Sequence, residues 1–76
     1  MNYLVWLARG DAAELRGHAA EAKSSFLTAA ALMVDEERYE PAARLARYVL
    51  HTDPVCTKAI MLLGMIHNSE AVYPAA

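Results

Sequence analysis

The sequence predicts an all-α protein of about four antiparallel helices, and three observations carry that prediction. Apolar residues recur at helical spacing: Ala22, Phe26 and Ala29, then Ala42, Ala46 and Val49, stand at i, i+4 and i+7. Punctuation falls between these runs, at Gly17, at the polar stretch Asp35–Arg38 and at Thr52-Asp53-Pro54. No segment shows the apolar–polar alternation of a strand. Small residues at fixed helical positions let a neighbouring helix approach closely, and a large residue then fills the gap between them. Short turns between such helices imply antiparallel neighbours.

The first helix is expected from about Asn2 to Arg16, with Asn2 as its cap. Gly10 costs it about 1 kcal/mol relative to alanine without ending it. Asp11 and Glu14 also have the spacing of a capping box, but a single helix keeps Leu4, Leu7, Leu15, Ala8 and Ala12 on one stripe. Gly17 suits the position just past the helix end. The second helix is expected over about Ala19–Val34, a stretch with neither Gly nor Pro, with Ala22, Phe26, Ala29, Ala30 and Met33 facing inward. The third is expected over about Glu40–His51, with Pro41 in its first turn, Ala42, Leu45, Ala46, Val49 and Leu50 inside and Arg44 and Arg47 in water. The fourth is expected from Pro54, capped by Thr52 or Asp53, to about Asn68. On it Ile60, Leu63, Gly64 and His67 share one side, and Met61 and Met65 share another. The chain thus divides into a helical domain, 1–68, and a tail, 69–76, which either frays or is ordered by a partner at Val72 and Tyr73.

These residues carry a family resemblance. Trp6 with Gly10, followed by Gly17, Ala22, Phe26 and Ala29, resembles the tetratricopeptide repeat, a helix–turn–helix unit of roughly 34 residues. Tyr39, Ala42, Ala46, Val49, Asp53 and Pro54 resemble a second helix with its closing Asp-Pro, and Ile60, Leu63, Gly64 and His67 resemble a further first helix. The resemblance spans roughly residues 3–67. The second helix fits as a second helix through Ala22, Phe26 and Ala29, or as a first helix through Phe26, Ala29, Ala30 and Met33, so the pairing into hairpins stays open. The resemblance implies stacked helical hairpins that bind polypeptides, with the inner surface lined by first helices. The lining positions are Leu27 in one pairing, Leu4 and Leu7 in the other, with Met61 and Met65 on the last helix. They are apolar where peptide-clamping members of the family carry Lys, Asn and Arg. In length, helix count and apolar surplus the chain is also similar to the helical-repeat chaperones of type III secretion needle subunits, small bacterial proteins.

Composition points the same way without the resemblance. The chain has 76 residues, of which 57% are hydrophobic, although alanine supplies much of that figure. Ordinary globular chains carry about 45–50%, and a domain this small hides only about 60% of its unfolded surface. An apolar surplus on a small domain is expected to meet a partner. The expected role is a chaperone or adaptor that sequesters an amphipathic helix of a small helical protein on Leu4, Leu7, Leu27, Met61 and Met65. The alternative is a homodimer or assembly scaffold built on the first helix.

Other function classes are disfavoured. The net charge of −2 lacks the basic footprint of a nucleic-acid binder, and Glu36, Glu37 and Glu40 offset Arg38, Arg44 and Arg47 beside Tyr39 and Tyr48. His18, His51 and His67 have no metal-type spacing, Cys56 has no partner for redox or nucleophilic chemistry, and no catalytic set is legible. No enzyme activity, metal or cofactor is therefore expected. A single cysteine fits a reducing, cytoplasmic location. The apolar start is too short for a secretory leader, and no run reaches the roughly 20 apolar residues of a membrane span.

Overall fold

The computed structural model describes the backbone of residues 2–72 and the side chains as far as Ser69. It contains four helices, α1 (Tyr3–Leu15), α2 (Ala19–Asp35), α3 (Tyr39–Thr52) and α4 (Thr57–Val72). Each packs antiparallel on the next, and the one non-sequential backbone approach is between α2 and α4. This is a four-helix stack of the tetratricopeptide-like kind. Residues 73–76, including Tyr73 of the expected tail, lie outside the described residues.

The first two turns share one device. At the end of α1 the Gly17 N–H donates to the Glu14 carbonyl and the His18 N–H to the Ala13 carbonyl, with Gly17 at φ +76°. At the end of α2 the Glu37 N–H donates to Val34 and the Arg38 N–H to Met33, with Glu37 at φ +61°. Both are Schellman caps, which satisfy the orphan carbonyls of a helix end and reverse the chain in a few residues. Asn2 caps α1 as expected, its side chain accepting from the Leu4 N–H at 2.9 Å.

α1 buries a different face from the expected one. Leu4 and Leu15 point outward, Leu15 at 90% exposure, and Ala8 and Ala12 are exposed as well. Gly10 and Ala13 are buried, with Tyr3 and Leu7 half-buried on the same stripe. The cause is Phe26: a methyl group on Gly10 would stand 2.5–2.9 Å from its ring, so only a glycine there lets α1 sit this close to α2. Tyr48 of α3 closes the other side of that ring edge to face, with centroids 5.6 Å apart and planes at 89°. The Tyr48 hydroxyl donates to Glu14 of α1, and this hydrogen bond raises the Tyr48 pKa above its ordinary value.

α4 differs at both ends and in its buried face. Asp53, Pro54, Val55 and Cys56 form a turn closed by the Cys56 N–H on the Asp53 carbonyl at 3.1 Å, and the helix starts at Thr57 rather than Pro54. Pro54 sits where such a turn favours proline. The Thr52 hydroxyl donates to the Val49 carbonyl, and the Asp53 carboxylate accepts from Lys23 and from the Val55 backbone N–H inside that turn. Beyond Asn68 no Gly or Pro precedes Val72, and the helix continues to that residue. Ala59, Leu62 and Ile66 are buried among its described side chains, whereas Ile60, Gly64 and His67 are exposed.

Candidate functional site: an apolar groove between α2 and α4

Alternate helices of an antiparallel stack run in the same direction, so α2 and α4 lie parallel. Their N-terminal ends are pinned together by Lys23, whose Nζ is 3.0 Å from Asp53 Oδ2. The Lys23 bond holds the Asp53 carboxyl below its ordinary range, helped by the Val55 backbone N–H, and the same bond raises Lys23. From that pin a groove of about 660 Å³ opens between the two helices. Its α2 wall presents Leu27 and Ala31, one helical turn apart, and its α4 wall presents Met61 and Met65 at the same spacing. Val55 stands at the mouth, while Cys56 and Leu62 lie deeper.

The groove is apolar at its base and open above. Leu27 is only 8% exposed and belongs to the core, whereas Met61 and Met65 are 61% and 52% exposed. Both methionines are flexible and polarizable, which suits an irregular apolar partner. Polar groups are confined to the edges, with Lys58 and Thr57 near the pinned end and Thr28 on the α2 rim donating back to the Ser24 carbonyl.

Three of the five expected contact residues, Leu27, Met61 and Met65, thus share one groove. Leu4 and Leu7 do not join them: Leu4 is exposed on α1, and Leu7 is partly buried and packs against the core. Ala31, Val55 and the Lys23–Asp53 pin were missed in the sequence. Ala31 stands one turn from Leu27 and was open to recognition. The pin joins residues 30 positions apart, and no local pattern announces it.

The remaining candidates are engaged elsewhere or stand alone. Arg38 is ion-paired with Glu36 and lies over the Tyr3 ring, and Arg44 is paired with Glu40 at 2.7 Å. His18 lies 3.4 Å from Glu21, and His51 and His67 are exposed. Among the described residues no three His, Cys, Asp or Glu side chains converge in a way that could hold a metal. No described helix is long and apolar enough to cross a membrane. Comparison with protein-family models, with curated proteins and with solved structures returns no match.

Proposed function

We propose that this protein is a binding module that holds an amphipathic helix of a partner protein in the α2–α4 groove. The observation that carries the reading is the pairing of two half-exposed methionines on α4 with an apolar α2 wall at matching one-turn spacing. A helix laid along such a groove inserts its residues at i, i+3, i+4 and i+7. Covering the exposed parts of Met61, Met65 and Val55 contributes roughly 1 kcal/mol each by apolar burial. The role carries no catalysis and no cofactor. The finer reading is a cytoplasmic chaperone that keeps a self-associating helical subunit soluble, such as a bacterial type III secretion needle protein. Its support is the small size, the helix count and the apolar surplus.

The test is selective loss of binding. Leu27 is built into the core, so Leu27→Asp is expected to unfold the chain, whereas Met61→Asp places its charge on an exposed side chain. Met61→Asp should keep the wild-type melting temperature within a few degrees and abolish retention of the partner from an extract of the native cells. Retention of the same partner by wild type and variant would refute the groove.

A second reading rests on α1, where Leu4, Val5 and Leu15 are exposed. A homodimer built on that face predicts a doubled mass by light scattering, returned to that of the monomer by Leu4→Glu.

A further inference from the structure

The side of α4 that faces away from the core is complementary to itself. Ala59, Leu62 and Ile66 are turned inward. Directly opposite them Thr57, Met61, Gly64 and Asn68 form an exposed stripe at i, i+4, i+7 and i+11. Ile60 and Met65 flank the stripe on either side, both 52% exposed. Gly64 leaves a gap in it, since a methyl group there would meet nothing within 4 Å. Its φ is not positive and nothing in the chain presses on it, so neither backbone nor packing within one copy calls for a glycine that weakens the helix. Met61, one turn before the gap, is the largest residue of the stripe and 61% exposed.

We infer that this face of α4 pairs with the same face of a second copy, the two helices antiparallel about a two-fold axis between Met61 and Gly64. In that register the Met61 side chain of each copy lies in the gap over Gly64 of the other, and Thr57 stands opposite Asn68 at both ends. Apolar residues then hold the centre and polar ones the rim, as in the core of an interface. A parallel pair would set one Gly64 against the other and leave the gap unfilled. It would also bring together the two Lys58 side chains and the two positive helix ends. Thr57, Ile60, Met61, Gly64, Met65 and Asn68 together expose on the order of 600 Å² per copy, somewhat less than the about 800 Å² that a standard interface buries on each side. The pair is therefore a dimer that dissociates on dilution. Met61 and Met65 also form the α4 wall of the groove, so a second copy and a helix held there exclude one another.

Sedimentation equilibrium of the full chain should show monomer and dimer in exchange. Gly64→Gln fills the gap with a residue that favours helix, and should weaken the dimer about tenfold or more without lowering the melting temperature of the dilute monomer. Leu4→Glu, on α1, should leave the dimer unchanged. A short bismaleimide reads the orientation. Thr57→Cys mixed with Asn68→Cys should give a covalent dimer, whereas either variant alone should not, its two thiols lying about 16 Å apart along the helices. Wild type, whose one cysteine is buried, is the blank. Cross-linking of Thr57→Cys alone would mean a parallel pair, and loss of the dimer in Leu4→Glu but not in Gly64→Gln would place it on α1. Either result would overturn the inference, as would a monomer at every concentration. A monomer that still retains a partner helix would overturn the pairing and leave the groove standing.

Discussion

Two glycines inside helices face opposite demands. Gly10 is pressed against the Phe26 ring, while a methyl group at Gly64 meets nothing within 4 Å. Alanine improves helix propensity at both by about 1 kcal/mol. At Gly10 the clash costs roughly 1–3 kcal/mol, so Gly10→Ala is expected to destabilise on balance while Gly64→Ala stabilises. Urea denaturation of the two variants decides the matter by the sign of each midpoint shift. Glu37 presents a third case, because its φ of +61° strains any residue with a side chain. Glu37→Gly, which matches the Gly17 turn, should raise stability by about 1 kcal/mol. An unchanged or lower midpoint would mean that the strain is relieved elsewhere.

Helix existence was legible because each helix is governed by local pattern and punctuation. Face and register were not, because other helices set them. The stripe of Leu4, Leu7, Ala8, Ala12 and Leu15 is a sound amphipathic reading of α1 alone, yet close approach over Gly10 keeps only Leu7 of it and turns the Tyr3–Leu7–Gly10–Ala13 face inward. Likewise Asp53 looks like a local cap in sequence, and its carboxylate does accept from the Val55 backbone N–H, but its bond to Lys23 reaches across the fold. The pH dependence of that pin can be worked out by sign. Asp53 is held below its usual 3.8, so its contribution is complete above that value and fades as pH falls through the lowered pKa. Lys23 is held above 10.5, so its contribution is complete below that value and fades as pH rises through the raised one. Melting temperatures of wild type and Asp53→Asn should therefore differ at neutral pH and converge in acid, once the pH has fallen through the lowered Asp53 pKa. A constant gap across that range would show that the pin titrates with neither group.

The whole molecule is a thin slab, 42 × 27 × 15 Å, little more than one helix thick in its shortest direction. In such a shape few side chains are enclosed on every side, and the core is built largely from alanines with Phe26, Met33, Val49, Leu62 and Ile66 among them. Larger apolar residues are left outside, on α1 at Leu4, Val5 and Leu15 and along α4 at Ile60, Met61 and Met65. The apolar surplus read from composition thus has a physical location, and of these residues Met61 and Met65 face a groove with a second apolar wall. The most direct measurement is the methyl spectrum of protein labelled at its methionines, titrated with an amphipathic helical peptide. The account predicts that the Met61 and Met65 methyl signals shift together and saturate, while that of Met33, buried beneath α3, stays in place. Unmoved Met61 and Met65 signals in a folded monomer would contradict it.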